Sequence, residues 1–485
     1  MSLAKKVAVN TIAQLAGKAL STILSAVILS LIARYLQPEK FGFYTIALTI
    51  LTFVALVADM GSYATTIRDL SQQDDPEKSK KYFGAIASFR FFFSLLIYVL
   101  AAVVVFFVPV SPILKLAFSI LSLSGFLGSL NQTFVSVLHT NYKMPWAALG
   151  EICNRVVVLV LIFFAFTNKL DYSLVFWAAS IGMAINLFVC FFSGKKYVTF
   201  QKNIFSPLIR EFLKDSALLG VATFLASFSG KMDTLMLAFL RKPADVGIYG
   251  IALKVFETIS LFPSIFVGMM IPSLSQSVIT DQQRFKNLSQ KTSDLLLIVL
   301  LPLVIIFGWG SPLITQIVGG VSFAQSALPM AILSVALIPN FIASLFTFGL
   351  ISAKKIKVLF WINLALLVIC LPLAAFLISQ GSVVGAAISN LLLALINFFA
   401  LRILFKKNIG FLPSFSFLKK LLLPFFIANL TAFILIWATR DLQTSLVGSL
   451  IIFGIFSGLI SSFYLAVLKK IGLIAFKDRK LTFNF

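Results

Sequence analysis

Residues 33–48 read ARYLQPEKFGFYTIAL, and residues 238–253 read AFLRKPADVGIYGIAL. At a constant offset of 205 positions, seven of the sixteen agree: Ala33/Ala238, Pro38/Pro243, Gly42/Gly247, Tyr44/Tyr249, Ile46/Ile251, Ala47/Ala252 and Leu48/Leu253. Each copy sits between two long apolar runs. Proline fixes φ and offers no N–H to a helix interior, so each copy reads as the tight turn of a helical hairpin. The recurrence predicts two related halves, each opening with such a hairpin.

The runs around these turns decide the solvent. Of 485 residues, 60% are hydrophobic and 12% charged, with a mean hydropathy of +1.02, whereas a water-soluble domain carries roughly 25% charged residues. A helix needs about 20 apolar residues to cross the hydrocarbon core, and the runs are too long for barrel strands of about 10. The expected helices are 11–36, 41–66, 83–108, 112–137, 147–167, 171–194, 213–239, 245–271, 290–310, 329–353, 355–378, 382–405, 416–438 and 444–468. The expected fold is an all-α integral membrane bundle of about 14 transmembrane helices. It comprises an N-terminal six-helix half (1–200), a C-terminal six-helix half (201–408) and two additional helices with a basic tail (409–485). An offset of six helices preserves orientation, so the halves are parallel repeats about an axis along the membrane normal. Transporters rock such halves to alternate access.

A net charge of +23 would suggest nucleic acid in a soluble protein, but the positions of the charges argue otherwise. Of the forty Lys and Arg residues, twenty-eight fall in alternate loops beginning with the N-terminal one. These include the Arg68–Lys81 cluster, the Lys195–Lys214 stretch and Arg402–Lys420. Seven fall on the other side: Arg34, Lys40, Lys115, Lys169, Arg241, Lys242 and Arg440. Cytoplasmic loops are enriched in Lys and Arg, which places both termini in the cytoplasm. The N-terminal run continues past Ser30 without a small-residue cleavage pattern, unlike a cleaved signal peptide. Cys153, Cys190 and Cys370 read as packing residues, and His139 alone makes no metal site. The five tryptophans, near expected helix ends, read as interfacial anchors.

The 6+6+2 arrangement and the hairpin L-x-P-x-x-F-G-x-Y, Leu36 to Tyr44, resemble the polysaccharide flippases (O-antigen and teichoic type, Wzx-like) of the MATE-like MOP superfamily. Asp59-Met60-Gly61 with Arg68 fits as well, and Gly319 to Lys355 resembles the family's tenth helix with its small-residue end, Ser352-Ala353-Lys354. Gln37 departs from the family's usual glycine. The resemblance implies carriage of polyprenyl-pyrophosphate-linked oligosaccharide, a precursor of cell-surface polysaccharide, across the cytoplasmic membrane of a prokaryote. It implies membrane lipids and possible polysaccharide-assembly enzymes as partners and no cofactor, with H⁺ or Na⁺ as possible coupling ions. A monomer is expected, since the cavity lies within one chain.

Ionisable residues within the expected helices are the independent physical signal. Each costs about 2.5–3.5 kcal/mol at mid-helix by insertion scales, so persistence points to a pair, a wet cavity or function. The cations are Lys18, Arg90, Arg155, Lys231 and Lys254; the acids are Asp59, Glu151, Asp233 and Glu257. Lys18 and Asp59 lie at similar distances before and after Pro38 and are expected to pair. Glu151 and Arg155, four apart in acid-first order, are expected to share one helix face. Arg90 reads as a residue near its helix end, where its charge reaches the interface. Lys231 and Lys254 both count to about 17 Å from the outer surface, near the midplane. A cationic path offsets the desolvation of a diphosphate, which Arg binds bidentately. The five cations are therefore the candidate substrate-binding residues, and Asp59, Glu151, Asp233 and Glu257 the charge-balancing or coupling acids. The alternatives are a lipid-linked peptidoglycan-precursor flippase and a multidrug cation or ion antiporter of the same superfamily. An exporter of cations would want acids on its first helix, which carries Lys18. Short outer loops and the lack of H-E-x-x-H, G-x-S-x-G or a Walker loop argue against an enzyme.

Overall fold

The computed structural model describes residues 3–71, 75–141, 143–198, 207–414, 416–438, 446–470, 474–477 and 480–483. Part of the expected Lys195–Lys214 connection, and Arg440, lie outside the described residues. In chain order the helices are α1 (Leu3–Asp59), α2 (Ser62–Ser71), α3 (Pro76–Phe107), α4 (Pro112–Thr140), α5 (Met144–Thr167), α6 (Ser173–Gly194), α7 (Pro207–Leu240), α8 (Pro243–Thr280), α9 (Gln282–Trp309), α10 (Ser311–Gly319), α11 (Ala327–Ser352), α12 (Ile356–Ile409), α13 (Ser416–Ala438) and α14 (Leu446–Lys470). A short antiparallel hairpin, β1 (Ile474–Lys477) with β2 (Lys480–Phe483), follows α14.

Among the described residues, eleven helices are long and apolar enough to cross a membrane. Two of these are interrupted. The Gly17–Asp59 segment spans 43 residues, about 65 Å if straight, or twice a hydrocarbon core. Gln37, at φ 60° and ψ 169°, breaks it immediately before Pro38. Ser382, at φ 45° and ψ −123°, breaks α12 in the same way. Each of these helices thus holds two segments of crossing length, and eleven windows do not by themselves number the crossings. The expected helix 213–239 lies within α7.

Local chemistry sets many of the helix ends. Proline occupies the first turn of α3, α4, α5, α8 and α10, where its missing N–H has no intrahelical partner to lose. Asp75 caps α3 by accepting from Glu77 N at 2.9 Å, and Asp281 caps α9 by accepting from Arg284 N at 3.0 Å. The sequence also misplaced two ends. The helix expected over 41–66 stops at Asp59, where Met60 (φ 46°) and Gly61 (φ 74°) turn the chain before α2. And α3 starts at Pro76 rather than 83, because the charged turn 76–81 is helical.

The chain divides into two compact units, residues 1–231 and 232–485, with the division falling inside α7. In the first unit α1 packs on α3, α4 and α5, and α6 packs on α4 and α5. In the second, α11 packs on α8, α9 and α12, while α13 and α14 lie against α9. The second unit's core is aromatic and branched, with Phe341, Phe346, Leu300, Leu345 and Phe405 fully buried. Outward faces are equally apolar: Phe91, Phe92, Val104 and Phe106 on α3 are all exposed. Such continuous exposed hydrocarbon is what a lipid-facing surface requires. The chain is a multi-pass membrane protein whose candidate spans are all helical.

In each unit the tip of the opening hairpin is tied to a later turn or helix break, through different side chains. In the first, Tyr35 Oη donates to Leu170 O and the Lys40 ammonium lies 4.2 Å over the Tyr172 ring. In the second, Arg241 donates to Ile378 O at 3.2 Å and to Ser379 O, and Ser382 Oγ donates to Asp245 at 2.9 Å.

Candidate functional site

The charged residues inside the membrane-spanning helices form three clusters. The first belongs to the first unit. Arg90 on α3 donates from Nη2 to Asp59 Oδ1 at 2.9 Å, and lies 3.4 Å from Ser129 O on α4. The Arg90 side chain is 2% exposed and that of Asp59 26%. Asp59 also accepts from Ser62 Oγ at 3.1 Å, so the same carboxylate ends α1, starts α2 and holds Arg90. Beside the pair is a cavity of about 510 Å³, lined by α1, α3, α4 and α6. Arg90 Nε and Nη1, Tyr98 Oη and Asn131 Oδ1, all from residues lining it, are buried without a hydrogen-bond partner among the described residues.

This corrects two expectations. Asp59 pairs with Arg90 rather than with Lys18, and Arg90 is a buried interior residue rather than one reaching for an interface. Because α3 begins at Pro76, Arg90 lies about 21 Å along the helix. Counting from Pro38 fixes depth, but it does not fix which neighbour a side chain faces.

The second cluster joins α1 to α5. Lys18 Nζ lies 3.4 Å from Glu151 Oε1, and Ser21 Oγ donates to the same oxygen at 2.6 Å. Glu151 thus reaches across to α1 instead of along its own helix to Arg155, a third correction. Arg155 is half-buried, and its Nε has no hydrogen-bond partner among the described residues. The Lys18 side chain is 49% exposed, although it sits on a membrane-spanning helix.

The third cluster is in the second unit. Asp233 is buried; it accepts from Tyr249 Oη, from Asn390 Nδ2 at 2.8 Å and from Thr234 N at 2.7 Å. One turn further along α8, Lys254 bonds Glu257 at 3.1 Å, with side-chain exposures of 39% and 31%. Lys231, at the end of the first unit on α7, is half-buried. At the repeat offset, Tyr249 corresponds to Tyr44, but Asp233 corresponds to the buried Ile28. The repeat therefore preserved a tyrosine and gave it a carboxylate in one unit alone. Tyr44 stacks on Phe176 instead, with ring centroids 6.2 Å apart.

Sequence reasoning missed the neutral members: Tyr98, Ser129 and Asn131 in the first unit, and Tyr249 and Asn390 in the second. Charge was its only filter. A search for amides and hydroxyls within apolar runs would have found Asn131 and Asn390. Among the described residues no group of His, Cys, Asp and Glu could hold a metal ion.

A repeated helical-hairpin bundle with paired ionic groups inside its spans is an architecture that membrane transporters use. Residues 3–278 match the family described as polysaccharide biosynthesis protein, and the chain belongs to that family. It is 24% identical over 402 residues to a Shigella flexneri protein named "Putative O-antigen transporter", covering 78% of this chain and 93% of that one. Its fold is similar to that of the lipid II flippase MurJ in an inward closed conformation: TM-score 0.73, 16% identity, 94% of this chain and 100% of that one. It is also similar to an inward-facing multidrug resistance MATE family transporter, with TM-score 0.59, 14% identity, 82% of this chain and 99% of that one. These relatives are transporters and flippases by name, not enzymes.

Proposed function

We propose that this protein is a flippase that carries polyprenyl-pyrophosphate-linked oligosaccharide across the cytoplasmic membrane of a prokaryote by alternating access. The observation that carries the reading is the half-exposure of Lys18 and Lys254 on membrane-spanning helices, each held by one nearby carboxylate at 3.4 and 3.1 Å. An accessible ammonium at the depth of Lys254, eleven residues past Pro243, is costly against hydrocarbon and favourable beside an anionic cargo, whereas Lys18 stands at the start of its span, where cargo would enter. Lys18, Arg155, Lys231 and Lys254 then serve the pyrophosphate. Glu151 and Glu257 balance the two lysines until the cargo arrives. Membership of the polysaccharide biosynthesis family supports the cargo class.

Two six-helix halves, 1–200 and 201–408, followed by 409–485 and fourteen crossings, with both termini in the cytoplasm, complete the topology. The chain acts as a monomer, surrounded by membrane lipid and fed by polysaccharide-assembly enzymes. Asp233, held by Tyr249 and Asn390, is the candidate to take up a coupling H⁺ or Na⁺, since a buried carboxylate has the most to gain from a cation.

The test is flipping in proteoliposomes. A labelled polyprenyl-pyrophosphate oligosaccharide is scored by its accessibility to an external glycan-binding probe, for the wild type and for Lys231→Ala/Lys254→Ala. Faster exposure by the wild type, lost in the variant, supports the reading. Equal exposure in both removes the lysines from the site. Exposure no faster than in empty liposomes, with cation efflux instead, moves the assignment to the multidrug exporters.

A further inference from the structure

We propose that the groove at the end of α12 binds one anionic phospholipid of the surrounding bilayer. Its phosphate sits on Arg402, Lys406 and Lys407, and the upper part of an acyl chain runs along Phe399 and Ile403. The proposal needs only a multi-pass membrane protein and does not rest on the flippase reading or on any cargo.

The groove has a volume of about 580 Å³ and is lined by Phe399, Arg402, Ile403, Lys406, Lys407 and Leu412. The first five recur at the spacing of three and four that shares one helix face. Arg402 lies twenty residues past the Ser382 break, about 30 Å along the helix and so at the far edge of a hydrocarbon core. Lys406 and Lys407 stand about one turn further out, at headgroup level, and Phe399 about one turn further in. Phe399 is 53% and Ile403 66% exposed, and both lysines are exposed. Hydrocarbon and cation thus follow each other along one open strip, in the order of a phospholipid's tail and head. The facing wall is held in place. Gly410, at φ 75°, ends α12 in a left-handed turn that a side chain would strain. Beyond it Gln290 accepts from Ser414 N at 2.7 Å and donates to Ser414 O at 2.9 Å. Leu412, between these two anchors, packs against the second unit's core.

Charge identifies the occupant. The groove holds three cations and, among the described residues, no acid. From Leu295 to Arg440, a stretch that includes α10 to α13, the sequence contains no Asp or Glu at all. Basic pockets at the ends of spanning helices take phospholipid headgroups by this charge complementarity. The negative end of α12 accounts for cations in its last turn. It does not account for the apolar wall they share with Leu412, or for the exposed Phe399 and Ile403 beneath them. A free phosphate would use the cations and leave that strip bare. A zwitterionic lipid would cover the strip and, with no net charge, gain little from the cations. A carried glycolipid has to leave the edge of the bilayer at which it enters, whereas this groove stands at one edge on a lipid-facing strip. Bilayer phospholipid meets both halves of the groove and is present there in excess, which favours its occupancy by mass action.

The test is native mass spectrometry of the purified, delipidated full-length protein, titrated in detergent with phosphatidylglycerol or phosphatidylethanolamine. Two matched variants separate the groove from general surface charge. Lys406→Gln/Lys407→Gln removes two exposed charges that line it, and Lys419→Gln/Lys420→Gln removes two exposed charges of α13 that do not. The expected result is one phosphatidylglycerol held more tightly than phosphatidylethanolamine. Its affinity falls about tenfold in the first variant, as the loss of two headgroup-level lysines requires, and is unchanged in the second. The proposal is overturned if phosphatidylethanolamine binds as tightly, or if both variants weaken binding equally. It is also overturned if inorganic phosphate displaces the lipid, which makes the groove a free-anion site, or if polyprenyl phosphate displaces it at equal concentration, which makes it part of the cargo path. No flipping is read, so failure of the flippase reading leaves this site standing, and loss of the site leaves the flippase reading standing.

Discussion

Replacing Asp59 by Asn removes the counter-charge of a guanidinium that is 2% exposed. At 2.9 Å and an effective dielectric of about 20, the lost attraction is about 6 kcal/mol. Asn keeps a carbonyl that still accepts from Nη2, and Asp59 is 26% exposed, so part of that attraction was offset by its own desolvation. Breaking a buried pair from one side costs about 3–5 kcal/mol, and the partial exposure of Asp59 puts this case near the lower end. The partners differ in burial, so the two single variants should be unequal. Arg90→Met leaves a carboxylate that water can reach and costs less than Asp59→Asn, which strands a cation. The double variant Asp59→Asn/Arg90→Met should recover most of the loss. The assay is reversible unfolding in mixed SDS micelles, run as a double-mutant cycle. A loss below about 1 kcal/mol for Asp59→Asn, or a double variant as unstable as the two losses added, would refute a buried, coupled pair.

Three further outcomes follow from the geometry. Gly220→Ala should destabilise by about 1–3 kcal/mol, because the new Cβ would lie 2.7 Å from the Met60 carbonyl carbon, a backbone atom that cannot swing away; thermal melts in detergent read it. Lys18→Met should change stability by less than about 1 kcal/mol, as half-exposed pairs contribute little, while slowing flipping, so equal flipping with unchanged stability removes Lys18 from the path. Asp171, in the α5–α6 turn, is held below the usual carboxylate range by the Ser173 side-chain and backbone hydrogen bonds, with a lesser contribution from Lys40. A depressed folded-state pKa stabilises fully above the unfolded value near 3.9 and is lost as pH falls through the folded one. Asp171→Asn should therefore flatten the acid limb of the melting profile by well under about 1 kcal/mol, since the group is largely exposed.

The helices were legible because the bilayer imposes a length and proline marks the turns. Pro112 starts its helix in the structure as in the sequence, while Pro38 and Pro243, expected in the turns, stand directly after the Gln37 break and at the start of α8. The site was legible as a roster of residues and not as a set of partners. Lys18 and Asp59 share a depth, yet Lys18 meets Glu151 and Asp59 meets Arg90. Depth is one coordinate and can be counted along a helix; the azimuth depends on packing between helices distant in sequence. Arg90 was misread for a simpler reason. Its helix begins with a polar turn, Pro76–Lys81, that composition assigns to a loop. The polar turn is helical because Asp75 caps it. The neutral partners were illegible because a lone Asn or Tyr in an apolar run carries no sign of its own.

The break at Gln37 bears on how the protein is made. One non-helical residue separates two runs of crossing length, leaving no hydrophilic linker to dwell in the exit channel between them. At about 5–20 residues per second, the second run follows the first within a few seconds of synthesis. The two runs are thus synthesised back to back, with Lys18 on one arm and Asp59 on the other. Each of those charges must then wait for its partner, on α5 or α3, to be translated. A nascent chain stalled before Arg90 holds a carboxylate at the end of its first hairpin with no guanidinium to pair with it.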